Sequence, residues 1–280
     1  MAKDPTMGPV TTYDDQGHQE FVNVGDTPEQ LPPPMRTVIL AGGRGTRLMD
    51  ETQDLIPKPM VKVGNKPMLQ HIMDIYYANG FDSFLIAGGH KIEHLEFWYK
   101  ELQHDFEARE VSVEVVDTGE DTQTGGRLLR LKDRLTSRFM MTYGDGLADV
   151  NIKALWEYHG HMAARRHCLV TLTAVKPPSR FGTLKLEDGL AKVFAEKSQS
   201  EEGWINGGFY VIEPAVFNMI NGDMCRWEYD VLPVLASQNR LGAFKHQGYF
   251  QMCDTWRDLQ ELNRVYETGE APWARFGTII

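Results

Sequence analysis

The sequence has little of three things that would settle its class at once: cysteine, unbroken apolar stretches and surplus positive charge. Its three cysteines, Cys168, Cys225 and Cys253, are odd in number, far apart and in no metal-ligand spacing. That argues against a disulfide framework and for reduced packing thiols. No window stays apolar for the roughly 20 residues that a membrane-spanning helix needs, and "MAKDPTMGPVTTYDDQ" lacks the apolar core of a secretory signal. A cytoplasmic protein without a membrane partner is expected. Lys plus Arg number 29 against 39 Asp plus Glu, a net charge of −10, so no general affinity for nucleic acid is expected and any polyanion site must be local. Internal repeats are missing, as are the third glycine of a Rossmann fingerprint and the Gly-Lys-Ser/Thr of a P-loop. The nine histidines form no nucleophile or metal constellation, and His159 and His161 do not share a helix face.

What is present is alternation. Residues 1–34 are polar and acidic, close on "LPPP" and hold no sustained period, so a disordered extension is expected ahead of a folded domain of residues 35–280. In that domain Arg36–Gly43 reads as a buried strand, Met68–Gly80 as a helix closed by glycine and Ser83–Gly89 as a second strand. Ile92–Gln103 has helical spacing, Val111–Val116 alternates, Leu128–Leu135 is helical again and Arg138–Asp145 is strand-like. Strands alternating with helices imply a mostly parallel sheet. After a helix at Val150–Arg165, short strands follow at Cys168–Val175, Gly182–Asp188, Leu190–Lys197, Asn206–Glu213 and Leu241–Met252. This half, 165–280, is expected to be mixed or antiparallel, and the half before it, 35–164, carries most of the motifs.

A glycine-dense turn, Ala41 to Arg47, leaves the first strand. Its backbone N–H groups can converge on phosphate oxygens while Arg47 adds charge-assisted bonds; a tight structural turn is the other reading. Lys58 stands between Pro57 and Pro59, which push it toward an extended conformation suited to neutralising a phosphate, unless it is a solvated loop lysine. Asp145, flanked by Gly144 and Gly146 at a strand end, suits Mg²⁺ or an ordinary turn. Asp254, at another strand end before a helix, suits a second Mg²⁺ contact or a helix cap. Glu196 and Lys197 close one strand, and Asn206, Gly207 and Gly208 open the next. Carboxylate, ammonium and amide beside open backbone suit the hydroxyls and phosphate of a sugar, with exposed charge and a glycine bend as the alternative.

Together "LAGGRGTRL", "PKPM", "YGDG", "EK" and "NGGFYV" resemble, in order and spacing, the sugar-phosphate nucleotidyltransferases, from about Met35 to Trp273. The resemblance implies a Rossmann-like three-layer α/β fold with a mostly parallel mixed sheet and a strand-rich sugar-binding half. Within that family, "DTGEDTQTGGRL", "EGWINGGFYVIEPAVF" and "KHQGYFQMCDTWRDL" are similar to the cytidylyl-transferring branch. Thymidylyl- and uridylyl-transferring members usually carry glutamine-proline-glycine where this chain has "TQTGGR". Ser198 and Cys253 stand where the family usually has Pro and Met.

The resemblance implies a homo-oligomeric enzyme that uses Mg²⁺, CTP and glucose 1-phosphate and releases CDP-glucose and pyrophosphate. Leu40, Ala41, Gly42, Gly43, Gly45, Thr46, Arg47, Lys58 and Gly144 would bind the nucleotide, with Gly42 to Arg47 on the β- and γ-phosphates and Lys58 on the α-phosphate. Arg47, Lys58 and Asp145 would be catalytic, Asp145 and Asp254 would hold Mg²⁺, and Thr122 and Arg127 would lie against the cytosine. Lys197, with Glu196, Asn206, Gly207 and Gly208, would bind the sugar phosphate. A thymidylyl- or uridylyltransferase and a non-catalytic sugar-nucleotide-binding module are the rival readings. The presence of Lys58 and both aspartates favours an enzyme.

Overall fold

A computed structural model of the chain describes residues 10–13, 19–22, 35–45, 56–176, 183–187, 190–195, 203–275 and 278–279. The chain forms two compact units, Met1–Pro34 and Met35–Ile280. In the first, Val10–Tyr13 and Gln19–Val22 pair as an antiparallel ribbon, a pairing that the aperiodic text of residues 1–34 does not signal.

The second unit is built on seven strands: β1 (Arg36–Leu40), β2 (Ser83–Gly88), β3 (Ser112–Asp117), β4 (Phe139–Tyr143), β5 (Val170–Val175), β6 (Ile205–Ile212) and β7 (Leu241–His246). They lie in the order β7-β5-β6-β4-β1-β2-β3. Pairs β1·β2, β2·β3, β1·β4 and β5·β7 are parallel, and β6 runs antiparallel to both β4 and β5. The second half is mixed, as expected: β6 runs against its neighbours while β5 and β7 continue the direction of β4. A separate antiparallel ribbon, Thr183–Glu187 with Leu190–Ala195, accounts for two further strands of that half.

Helices α1 (Met68–Ala78), α2 (Ile92–Ala108), α3 (Thr124–Arg130), α4 (Ile152–Arg166), α5 (Leu232–Ser237) and α6 (Trp256–Glu267) connect and cover the strands. Val38, Leu40, Leu85, Ala87, Met141 and Tyr210 join one core cluster with Leu128 and Leu131 of the α3 region and with Trp227 and Leu235. The alternate positions Ile39, Ile86 and Phe209 are buried as well, and Phe209 stacks on Tyr76 of α1 with 6.0 Å between centroids. Strand side chains alternate between faces, so the sheet is covered on both, which is why its strands read as unbroken apolar runs.

Two local expectations shift. The helix expected at Leu128–Leu135 begins four residues earlier, at Thr124, and gives way to a 3₁₀ turn at Lys132–Arg134. Gly125 and Gly126 concealed its start, since glycine is a poor helix former. Here it is required by packing: a Cβ at Gly126 would lie 2.0 Å from the Asp223 carbonyl oxygen. Lys58, expected to be extended, instead opens a 3₁₀ turn, Lys58–Met60. Met60 and Val61 donate to the Pro57 and Lys58 carbonyls at 2.8 and 3.1 Å, and Pro59 has no N–H to leave unpaired in that first turn.

No helix among the described residues is long and apolar enough to cross a membrane. His159, on α4, is a core residue: its Nδ1 lies 2.8 Å from Thr171 Oγ1 and its Nε2 3.3 Å from Glu213 Oε1. Burial holds the imidazole below its usual pKa of 6.5, with Arg138 adding to the effect and Glu213 opposing it. With the folded pKa depressed, the unfolded chain takes up the proton first, so stability present above about pH 6.5 declines as the pH falls below it. His159→Leu should cost about 1–3 kcal/mol at pH 7.5 by leaving the buried Thr171 hydroxyl without its partner, while Glu213 keeps Arg138. It should also flatten the fall of Tm between about pH 6.5 and 5. The decline persists in part because burial also lowers His71. Thermal unfolding across that range is the measurement, and an unchanged Tm at pH 7.5 would contradict the assignment.

Candidate active site

The strand order reverses between β1 and β4, and the loops leaving their carboxyl ends diverge there, as in open α/β sheets that bind ligands at such a point. A cleft of about 480 Å³ lies at this place, lined by the turn after β1, by Lys58 and Pro59, by residues around Thr122, and by Tyr143, Gly144, Asp145 and Asp254. Leu40 and Tyr143 are register partners, and the Gly144 N–H donates to the Leu40 carbonyl at 3.1 Å. Gly144 carries no side chain because a Cβ would come 2.7 Å from Pro59 Cγ and 3.0 Å from that carbonyl oxygen. The Pro-Lys-Pro turn therefore packs directly on the junction of the two strands.

Asp145 and Asp254 are brought together by a short antiparallel ribbon, Gly146–Ala148 with Phe250–Met252, in which Gly146 faces Met252. One step further the Cys253 N–H donates to the Asp145 carbonyl at 2.9 Å, so the two aspartates emerge side by side. Lys58 Nζ donates to Asp145 Oδ2 at 2.8 Å and to Asp254 Oδ1 at 2.6 Å. The three side chains are 10%, 22% and 16% exposed. Burial works to lower the lysine pKa, but Asp145 and Asp254 outweigh it and hold the ammonium above its usual value. The helix-cap alternative for Asp254 does not hold, since Thr255 caps α6 in a reciprocal box with Asp258. The adjacent Cys253 thiol is pushed up to about 12, chiefly by burial, and is inert packing.

Asp145 Oδ1 is buried without a hydrogen-bond partner, the condition of an oxygen awaiting a donor or a cation. Two carboxylates against one ammonium leave −2 + 1 = −1, which suits a divalent cation completed by waters and ligand oxygens. Among the described residues no group of three or more His, Cys, Asp or Glu is arranged to hold a metal ion, so any metal here would lean on its ligand for coordination.

Thr122 and Arg127 line the same cleft, but their polar atoms face the protein. Thr122 Oγ1 donates toward the carbonyls of Thr118 and Gly119, at 2.5 and 2.8 Å. Arg127 Nη1 donates to the Gly88 and Gly119 carbonyls at 3.1 and 2.7 Å and to Thr118 Oγ1 at 3.0 Å. Its Nη2 donates to the Gly42 and Glu120 carbonyls at 2.6 and 3.1 Å. The guanidinium ties together the turns after β1, β2 and β3, a use that only the folded chain reveals. Arg44, in the glycine turn, was missed: it lines the mouth and pairs with Glu120 and Asp121, both at 3.2 Å.

Leu40, Ala41, Gly42, Gly43, Gly45, Lys58, Thr122, Arg127, Gly144, Asp145 and Asp254 thus share one cleft. Asn206, Gly207 and Gly208 sit at the start of β6, the strand beside β4, and Gly208 passes against the Tyr143 ring. Thr46, Arg47, Glu196 and Lys197 lie outside the described residues.

Residues 36–271 match the family model described as nucleotidyl transferase. The chain is 40% identical over 258 residues to a glucose-1-phosphate cytidylyltransferase of Salmonella typhi, covering 85% of this chain and 98% of that one. It is 28% identical over 237 residues to a D-glycero-α-D-manno-heptose 1-phosphate guanylyltransferase of Aneurinibacillus thermoaerophilus, covering 83% and 100%. Among solved structures, HddC of Yersinia pseudotuberculosis complexed with GMP-PN shares the fold, with a TM-score of 0.61 and 22% identity over 83% of this chain and 99% of that one.

Arg127→Ala should lower stability by more than about 3 kcal/mol, because several buried carbonyls lose a charged donor together. Arg127→Lys should recover only part of this, since a compact ammonium cannot span the same fork. Denaturant unfolding of both variants checks the order, and equal stability of wild type and Arg127→Ala would remove the bracing role.

Proposed function

Because the chain belongs to the nucleotidyl transferase family, we propose that it transfers CMP from CTP to glucose 1-phosphate, giving CDP-glucose and pyrophosphate. The observation that carries this reading is the 40% identity over 258 residues to a glucose-1-phosphate cytidylyltransferase. The clustering of Lys58 with Asp145 and Asp254 supports it.

A phosphate oxygen of glucose 1-phosphate bonds to the α-phosphorus of CTP as the bond from that phosphorus to the oxygen bridging the β-phosphate breaks. Pyrophosphate leaves with the electron pair. The second ionisation of a phosphate monoester lies near pKa ~6, so the nucleophile is already anionic and no general base is required. The work left to the protein is to align two anions and to neutralise charge as it moves to the leaving group.

Asp145 and Asp254 would hold the divalent metal, read here as Mg²⁺; bound there, it would neutralise phosphate charge. The unpartnered Asp145 Oδ1 supports the fit. Lys58 neutralises the α-phosphate: its backbone is held by the proline turn, so the ammonium can exchange a carboxylate for a phosphate by side-chain motion alone. Backbone N–H groups of Gly42, Gly43 and Gly45, with Thr46 and Arg47, take the β- and γ-phosphates, while Leu40, Ala41 and Gly144 form the wall behind them. Arg44 joins Arg47 as a second cation of that turn.

Cytosine differs from uracil in its amino donor and its unprotonated N3, but the Arg127 Nη donors are taken up by protein acceptors and Thr122 Oγ1 already donates to carbonyls. Thr122 and Arg127 therefore act on base choice by holding the carbonyls and side chains of the loop around them. Lys197, with Glu196, Asn206, Gly207 and Gly208, takes the sugar phosphate and hydroxyls, a role that rests on the sequence pattern.

Pyrophosphate release measured over a grid of nucleotides, sugar 1-phosphates and metals should be strongest with CTP, glucose 1-phosphate and Mg²⁺. Preference for UTP or dTTP would sink the cytidylyl assignment. Lys58→Ala and Asp145→Ala should each lower kcat by roughly 10²–10³-fold, the usual loss when one charge-stabilising group is removed. Lys197→Ala should raise KM for glucose 1-phosphate and leave that for CTP nearly unchanged.

A further inference from the structure

One carboxylate outside the cleft is bonded to both sides of it. Glu228 lies in a π-helical turn, Trp227–Val231, that leads into α5, an irregularity common beside functional sites. Its Oε2 accepts from Thr124 Oγ1 at 2.8 Å and its Oε1 from the Tyr143 hydroxyl at 2.6 Å, and both of those residues line the cleft. The Trp227 N–H donates to Thr124 Oγ1 at 2.9 Å. From Tyr143 the network continues: its hydroxyl lies 2.8 Å from that of Tyr210, which accepts from Asn206 Nδ2 at 2.5 Å. Asn206 Oδ1 in turn accepts the Gly208 N–H at 3.0 Å.

The chemistry of the end member sets the direction of this chain. A carboxylate only accepts. Tyr143 must therefore donate to Glu228, Tyr210 must donate to Tyr143, and the Tyr210 oxygen is left to accept from the Asn206 amide. Asn206 is held from two sides: a turned-over amide would set its NH₂ against the Gly208 N–H and its oxygen against an acceptor. The Thr124 hydroxyl is likewise aimed at Glu228, because its oxygen already receives the Trp227 N–H. A neutral amide in place of the carboxylate presents an N–H₂ to one of its two donors, and the direction of the chain is no longer set.

We propose that Glu228 is a positioning residue for the transfer reaction, orienting Thr124 in the nucleotide wall and, through Tyr143 and Tyr210, the Asn206 amide in the sugar wall. The sugar arm rests on the reading above that Asn206 faces the acceptor; the nucleotide arm does not. Glu228 is not among the residues lining the cleft, so it acts through Thr124 and Tyr143 on binding geometry at two places at once.

The test compares Glu228→Gln, Tyr143→Phe and Thr124→Val in the full chain, with KM for each substrate, kcat and Tm. Glu228→Gln should raise both KM values about 5- to 20-fold. Tyr143→Phe, which cuts the relay but spares the Thr124 bond, should raise KM for the sugar phosphate and leave that for CTP within about twofold. Thr124→Val should do the reverse. Glu228→Gln combined with Tyr143→Phe should be no worse toward the sugar phosphate than Glu228→Gln alone, because both cut one chain. A merely structural role would lower Tm and move all variants alike. Wild-type KM values in Glu228→Gln, or independent additive losses in the double variant, would overturn the proposal. Calorimetric titration of CTP alone into wild type, Glu228→Gln and Thr124→Val separates the two failures. If wild type uses a different sugar phosphate, the acceptor reading fails and the sugar arm is measured with that substrate. If CTP binds all three proteins equally, the positioning role fails.

Discussion

The contact on which the site depends is an ammonium held between two carboxylates. Lys58, Asp145 and Asp254 come from three remote parts of the chain, and in this semi-buried place the ammonium is held by both carboxylates at once. Removing one member of a buried ion cluster leaves an uncompensated charge, at a cost of about 3–5 kcal/mol. The surrounding fold keeps them in register: β1 and β4 pair so that the chain leaves both at the same level, Pro59 packs on the bare backbone of Gly144, and the ribbon at Gly146–Ala148 brings the two aspartates side by side. Charge, rather than shape, is the quantity this arrangement controls. It confines a deficit of one positive charge to a cleft in a protein of net charge −10.

Around that centre, conspicuous polar residues bond inward. Arg127 and Thr122 clamp loops, Glu228 orders hydroxyls and Thr255 with Asp258 closes a helix end. Flexible cleft walls would have to be ordered again with each substrate, and that entropy would be subtracted from binding. Relatives named for cytidylyl and guanylyl transfer match most of this chain.

The parts of this fold that were legible in the sequence are those governed by local pattern. β1, β2 and β4 read correctly because both faces of the sheet are covered, and such strands have to be apolar at every position. The glycine turn, Lys58 and both aspartates could be singled out because phosphate and metal chemistry would call for those residue types, and the fold brings them to one cleft. Direction was less legible: β5 and β7 are parallel partners, a property of the connections between them rather than of their own residues. The start of α3 was hidden because its two glycines answer to the backbone of Asp223 and Cys225, a hundred residues away in the chain's own numbering. Asp254 was ambiguous between cap and site until Thr255 took the cap. Arg127 could be seen as important but not as a brace, since the carbonyls it gathers belong to separate loops. Nothing in the spelling of Glu228 marked it, because its partners are hydroxyls on other elements.

The ribbon that pairs Gly146–Ala148 with Phe250–Met252 also sets a condition in time. Lys58 is 196 residues from Asp254 and 87 from Asp145, so a growing chain presents the glycine turn, the lysine and the first aspartate long before the second. The β1–β4 framework can assemble early, yet its charge cluster stays one carboxylate short until three residues near the end of the domain find their register. A slip of one position in the Phe250–Met252 strand would shift Asp254 relative to Asp145 and turn the strand's side chains to the opposite face. The full cluster of one ammonium and two carboxylates therefore arrives as a single late event, and a chain without the Phe250–Met252 strand would leave Lys58 with Asp145 alone.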